Sequence, residues 1–252
     1  MYGEFAKHYD RIYSYKDTAR EVNFILEVMR RSGVNGKDVL DVACGTGRHA
    51  RLLTQRGFKV VGIDKNEGVL RIARRKVPEA MFHRGDMRTF RLSRRFDAIL
   101  CMFTSMNYNT RSSDLVKTLR NFRRHLADGG IIVFDSPLRS RGKAEQTSGA
   151  LLDENAAVLY VWREQGKLTV GNIYWIVKGA GRGETGKGAS VVLDRHTLRM
   201  YSLRKIKDAI ESSGLRGKAF WDFSISAKVG RRPIFVCWRR KDARALSDST
   251  KN

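Results

Sequence analysis

One stretch constrains this chain more than any other: Asp41-Val-Ala-Cys-Gly45-Thr-Gly47, which leads straight into the helical pattern from Arg48 to Gly57. A short buried strand, a Gly-x-Gly turn and a helix, in that order, open a βαβ unit and predict a parallel sheet. Glycines let the backbone approach a ligand closely, and the N–H groups at the helix start face outward as donors. Nicotinamide and flavin enzymes use nearly the same spacing, so the turn alone does not choose the ligand.

The alternation continues downstream. Phe58–Ile63 reads as a strand, and Asn66 caps a helix that Pro78 stops after Val77. Ala80–His83 and Phe96–Phe103 read as further strands. Asp114 to Leu126 has helical spacing and ends at Asp128-Gly129-Gly130, a stop signal, before a fifth strand at Ile131–Asp135. From about residue 150 the texture changes. Ala157–Arg163, Leu168–Lys178 and Ala189–Arg199 carry β-branched and aromatic residues between Gly-rich turns and read as antiparallel strands. Leu203–Ser213 returns to helix, Leu215–Trp221 and Pro233–Trp238 form a last strand pair, and the charged tail frays.

Composition bounds the partners. The chain has 252 residues, enough for one domain of that size, and 42% of them are apolar. Lys and Arg number 49 against 26 Asp and Glu, a net charge of +23, which attracts nucleic acid, phosphorylated metabolites or acidic lipid. The longest apolar run, Ala98–Phe103, is far short of the roughly 20 residues that span a bilayer. The first ten residues lack the apolar core of a secretory signal. Cys44, Cys101 and Cys237 are odd in number, widely spaced and set in apolar segments. They read as buried thiols of a cytoplasmic protein; disulfide, zinc and other metal readings are set aside.

One acid precedes the glycine turn and two follow it, in a telling order. Asp41, at the strand end, repels a dinucleotide pyrophosphate and suits the ammonium of a methionine moiety. Asp64 ends the next strand 23 residues on, close to the ~20 expected of a ribose-binding acid. Asp86, in Arg84-Gly-Asp86-Met87, can accept from an exocyclic amine while the Met87 N–H points at a ring nitrogen. Ligands of open α/β sheets bind at the carboxyl edge, where Phe96–Tyr108 delivers apolar and small polar residues.

Taken together, Asp41…Gly45-x-Gly47, Asp64, Gly85-Asp86-Met87 and Phe96-Asp97…Tyr108 resemble the class I S-adenosylmethionine-dependent methyltransferases. Tyr9-Asp10-x-x-Tyr13, His49, Met87-Arg88-x-Phe90-Arg91-Leu92 and Met102-Phe-Thr-Ser-Met-Asn-Tyr108 resemble its small-molecule branch, which includes N,N-dimethyltransferases of nucleotide-linked amino sugars. The resemblance implies an α/β fold: a Rossmann-like, doubly wound, seven-stranded sheet with its last strand antiparallel, plus an antiparallel β insertion. It implies one domain over 1–240, with a helical lid at 1–35, a substrate cover at 150–200 and a tail at 241–252. It implies that S-adenosylmethionine contacts Tyr13, Asp41, Ala43, Gly45, Thr46, Gly47, Asp64, Lys65, Asp86, Met87 and Met102.

Methyl transfer from a sulfonium is an in-line displacement, so the protein mainly supplies approach geometry, worth roughly 7–11 kcal/mol. An amine acceptor needs a base only to keep its nitrogen unprotonated. His196, Tyr108 and Tyr13 are the candidates; His49 reads as structural or cofactor-side, and His125 as structural. No Asn/Asp-Pro-Pro-aromatic motif of base-amine methylation follows the fourth strand. Its lack weighs against adenine or guanine N-methylation in nucleic acid, though not against other RNA positions, and towards a small molecule; the basic charge suits an anionic one. The basic surface keeps RNA as the rival, and a catalytically silent cofactor-binding module is the third reading.

Overall fold

The computed structural model describes residues 9–138, 145–153, 156–178, 189–227, 230 and 232–240. After a short turn of helix α1 (Tyr9–Ile12) and α2 (Thr18–Arg31), the chain alternates β1 (Asp38–Val42), α3 (Arg48–Thr54), β2 (Lys59–Asp64), α4 (Glu67–Lys76), β3 (Met81–Arg84), β4 (Phe96–Cys101), α5 (Ser112–His125) and β5 (Leu126–Asp135). Asn66 caps α4 by accepting from the N–H groups of Gly68 and Val69. An antiparallel block then follows: β6 (Glu145–Asp153), β7 (Ala156–Gln165), β8 (Leu168–Lys178) and β9 (Ala189–Leu198). Helix α6 (Leu203–Ser212) and the hairpin β10 (Leu215–Trp221)–β11 (Pro233–Arg239) close the described chain.

The main sheet has the order β10-β11-β5-β4-β1-β2-β3. Strands β3 to β5 run parallel to β1 and β2, whereas β11 runs antiparallel to β5 and β10. The strands alternate their side chains between two cores. Val39, Val60 and Ala98 pack under α2, α3 and α4 through Val22, Leu53 and Leu70. Leu40, Val61 and Ile99 pack under α5 and α6 through Leu119, Phe122 and Ile206. The doubly wound, seven-stranded expectation therefore holds. The strand order reverses between β1 and β4, and the crevice beyond their carboxyl ends is where such sheets bind ligands.

The insertion is its own four-stranded sheet, β6-β7-β8-β9. Its inner face presents Val158, Ile173 and Trp175, which bury Tyr13 of the N-terminal segment. Three details differ from the sequence reading. Strand β6 begins at Glu145; its polar Glu-Gln-Thr-Ser start hides an edge strand that pairs only with β7. Helix α5 stops at His125, and Asp128-Gly129-Gly130 lies inside β5, where Gly129 takes φ 74° and the facing strand shifts register between Phe96 and Ala98. A Cβ on Gly130 would sit 2.9 Å from the Asp97 carbonyl oxygen, so the second glycine serves strand approach.

The expected N-terminal helix at 5–14 and the tail at 241–252 fall partly or wholly outside the described residues. Cys44, Cys101 and Cys237 are all buried and free. No described helix is long and apolar enough to cross a membrane.

Candidate active site

Beyond Val42 the chain turns through Ala43 (φ 58°) and Gly45 (φ 57°) before Gly47 (φ 78°) starts α3. A left-handed alanine is a strained conformation, of the kind that gathers at ligand sites. Asp41 lies just beneath, 1% exposed, and its Oδ2 is buried with no hydrogen-bond partner among the described residues. Burial raises its pKa from the ordinary carboxylate range to about 6, against the opposing pull of His49. A buried carboxylate with a spare oxygen fits a missing cation, which is what the ammonium of a methionine moiety supplies.

Asp64 is tied to the same turn. Its Oδ2 accepts from the Gly45 N–H and its Oδ1 from the Asn66 N–H, both at 2.9 Å. Burial raises its pKa while these backbone donors oppose the rise. Each oxygen keeps a lone pair for a further donor such as a ribose hydroxyl. Asp86 is differently placed. Arg88 grips it in fork geometry, Nε to Oδ1 at 2.9 Å and Nη2 to Oδ2 at 2.6 Å, and Lys65 approaches Oδ2 at 3.3 Å. Arg88 holds this carboxyl far below its ordinary range. Arg88 is thus the first claimant on the oxygens that the sequence reading offered to an exocyclic amine. The Met87 carbonyl accepts from Asn121 at 3.1 Å.

The N-terminal segment closes over this edge. Thr46 donates to Asp10 at 2.6 Å, and Arg48 donates to the carbonyls of Tyr13 and Lys16. Tyr9, Tyr13 and Phe103 form an aromatic row with ring centroids 4.7 and 4.9 Å apart. Burial pushes the hydroxyls of Tyr9 and Tyr13 far above their ordinary value, so both stay protonated at neutral pH.

Behind the row lies a charged network that sequence reasoning missed. Glu21 accepts from His49 at 2.8 Å and Lys16 at 2.9 Å, and Arg232 lies 3.2 Å from it. Burial alone would raise Glu21, but His49 and Lys16 outweigh it and hold the carboxyl at about 2. Arg232 also donates twice to Asp135 Oδ2, at 2.7 and 2.9 Å, and that oxygen accepts the Thr104 N–H at 2.9 Å. The network thereby links α2, the hairpin and the left-handed pair Phe103–Thr104 (φ 60° and 65°) at the end of β4. The one sequence signal for it was Asp135 at a strand's carboxyl end. His49 both pairs with Glu21 and lines the cavity beside Asp41, and His125 lies outside the cavity, with Nε2 accepting from Leu92 and Nδ1 facing the Asn121 carbonyl.

The insertion supplies the opposite wall. Tyr108, in the 3-10 turn Ser105–Tyr108, meets His196 Nδ1 at 2.5 Å, and the other ring nitrogen lies 3.4 Å from Asp194 Oδ2. His196 and Asp194 are 2% and 3% exposed. The Trp162 ring lies 6.5 Å from the imidazole, and Gly171 makes room for it, since a Cβ there would fall 2.2 Å from the indole.

All the candidate residues except Gly47 line one cavity of about 800 Å³. Gly47 instead packs its backbone against Ala73, where a Cβ would lie at 3.3 Å, and its left-handed φ serves the turn. The volume is in the upper part of the ~300–1,000 Å³ usual for small-molecule sites. Among the described residues no group of His, Cys, Asp and Glu is arranged to hold a metal ion.

A methyltransferase-domain family profile matches residues 39–130. The chain is 31% identical over 223 residues, 84% of each chain, to the dTDP-3-amino-3,6-dideoxy-alpha-D-glucopyranose N,N-dimethyltransferase of Streptomyces fradiae. Its structure is similar to the crystal structure of Streptomyces venezuelae DesVI, with a TM-score of 0.78 and 28% identity over 93% of this chain and 98% of that one. It is also similar to S-adenosylmethionine-bound CalS10, an amino pentose methyltransferase from Micromonospora echinaspora, with a TM-score of 0.74 and 26% identity over 94% and 97%.

Proposed function

Given that the chain belongs to the S-adenosylmethionine-dependent methyltransferases that act on small molecules, we propose that its acceptor is the amine of a nucleotide-linked amino sugar, methylated in two successive rounds. The observation that carries this reading is the Tyr108–His196 pair, which lines the same cavity as Asp41 and Asp64. The acceptor of the Streptomyces fradiae relative is of this class, and Arg48, which bonds carbonyls and no carboxylate, suits an anionic one.

S-adenosylmethionine supplies an electrophilic methyl group on its sulfonium. Asp41 pairs with the ammonium of its methionine moiety, and Asp64 accepts from the ribose hydroxyls, held in aim by the Gly45 N–H. Ala43, Thr46, Lys65, Met87 and Met102 line the pocket around them, and Asp86 reaches the adenine only as Arg88 yields it. Tyr13 and Tyr9, kept protonated by burial, exclude water from this edge, and Tyr13 is therefore no base.

The acceptor amine is an ammonium at neutral pH and must lose a proton to expose its lone pair. Tyr108 Oη takes that proton as it passes its own to His196 Nδ1, and the Asp194 carboxylate stabilises the imidazolium formed. A positioned proton acceptor contributes about 10²–10⁴ in rate. After the imidazolium has released its proton to solvent, the secondary ammonium made in the first round is deprotonated by the same route before the second. The insertion is the acceptor cover and the N-terminal segment the cofactor lid.

The test is transfer of labelled methyl to a panel of dTDP-linked amino sugars, with a cell extract separated into metabolite, RNA and protein fractions. Doubly methylated sugar product is expected. Label in RNA and none in any sugar would overturn the acceptor assignment.

A further inference from the structure

A second cleft, of about 700 Å³, opens between the loop that follows β3 and the outer face of α5. Five cations line it, Arg88, Arg91, Lys117, Arg120 and Arg124, and no carboxylate does. Lys117, Arg120 and Arg124 recur at helical spacing, so they share one face of α5 and span about 10 Å along its axis. Arg88 is committed to Asp86 and Asp114, and Arg120 to the Ser212 carbonyl. Arg91, Lys117 and Arg124 have no hydrogen bond or ion pair among the described residues. Like charges gathered in one concavity repel each other, a cost that a bound polyanion removes.

The first turn of α5 faces the same cleft with two serine hydroxyls. This helix of 14 residues starts at Ser112, behind Arg111, which makes no side-chain cap; the Asp114 and Leu115 N–H groups bond the Arg111 carbonyl, which leaves those of Ser112 and Ser113 for an anion. The lining also tells what kind of anion fits. Single-stranded nucleic acid is held by cations together with aromatic platforms for its bases. Not one aromatic side chain lines this cleft. A row of three cations about 10 Å long suits a few linked phosphates.

We propose that this cleft binds a compact oligophosphate, either an inorganic polyphosphate or the phosphate tail of a nucleotide. The site shares Arg88 with the cavity that takes the cofactor and acceptor but is otherwise lined by its own residues, and its occupancy can be read with neither cofactor nor acceptor present.

Calorimetry on the full chain with inorganic tripolyphosphate, ATP and a short oligouridylate tests it. One equivalent of tripolyphosphate is expected to bind. Replacing two charge-assisted contacts in the double variant Lys117→Ser/Arg124→Ser is expected to weaken it about tenfold or more, with unchanged thermal melting. The charge-matched control Arg71→Ser/Arg75→Ser, on exposed positions of α4, is expected to bind like the parent. ATP bound at least as tightly as tripolyphosphate assigns the nucleotide source, and weaker ATP binding assigns the inorganic one. Equal loss in both double variants, or several weak equivalents that ignore the substitutions, would reduce the cleft to diffuse surface charge and overturn the proposal. So would binding of oligouridylate without tripolyphosphate.

Discussion

Tyr108 and His196, 88 residues apart in the chain, meet at 2.5 Å between Tyr108 Oη and His196 Nδ1. One side chain comes from the turn that follows β4 and the other from the last strand of the insertion. Their contact joins the cofactor edge of the main sheet to its cover, and it sets the first expectation. His196→Asn should lower turnover by about a hundredfold or more while leaving S-adenosylhomocysteine affinity unchanged, because the proton acceptor is lost and the cofactor contacts are not. Turnover of the variant should recover as pH rises and the amine deprotonates unaided. A variant with parental turnover at neutral pH would remove His196 from the reaction.

Asp64→Ala should weaken S-adenosylhomocysteine binding by about a hundredfold or more, since two charge-assisted hydrogen bonds of roughly 1.5–3 kcal/mol each disappear. The Gly45 N–H loses its acceptor in the same change. Calorimetry reads the effect directly, and undiminished affinity would take Asp64 out of the site.

Asp41 makes the stability of the free protein depend on pH. Its folded-state pKa, about 6, lies above the ordinary 3.8, so between those values the folded chain holds a proton that the unfolded chain has released. Stability contributed by this group therefore falls as pH rises from about 4 to about 6 and stays reduced above, by roughly 3 kcal/mol. Asp41→Asn should raise the melting temperature at pH 7.5, leave it nearly unchanged at pH 4, and weaken cofactor binding. A variant that melts lower than the parent at pH 7.5 would contradict this account.

Arg232→Ala should cost about 3–5 kcal/mol in urea denaturation, because it leaves the buried Asp135 carboxylate, 0% exposed, without its ion-pair partner and takes one of three cationic partners from Glu21. Arg232→Lys should recover only part of the loss, since an ammonium cannot reproduce the two donations to Asp135 Oδ2. Full stability in the lysine variant would show that charge alone matters there.

Gly171→Ala tests the cover. The new methyl group collides with the Trp162 indole and displaces it from His196. Turnover should fall several-fold or more while cofactor affinity stays at the parental level. Equal loss of both would mean that the insertion supports the cofactor pocket itself.

Much of the cofactor edge was legible before any coordinates, because its determinants are local. A buried run, Gly45 and Gly47 specify a strand–turn–helix, and the strand period delivers Asp41 and Asp64 to the carboxyl edge. The capture of Asp86 by Arg88, two residues on, was also within local reach and was missed, since an acid and an arginine side by side are usually a solvated pair. Strand β6 was missed because an edge strand pairs on one side only and carries no alternating apolar signal.

Periodicity alone placed the strands and helices of the main sheet and the acids at its strand ends, for helix and strand periods are properties of neighbouring residues. The doubly wound order and its antiparallel end were expected from the family resemblance. Only the tertiary structure decided which distant groups share a proton or a charge. Arg232 reaches Glu21 across 211 positions and Asp135 across 97, and Tyr108 finds His196 on a separate sheet. Those meetings depend on strand order and on how the insertion folds back, and burial then makes each pairing obligatory, because a charge removed from water must find its partner in the protein.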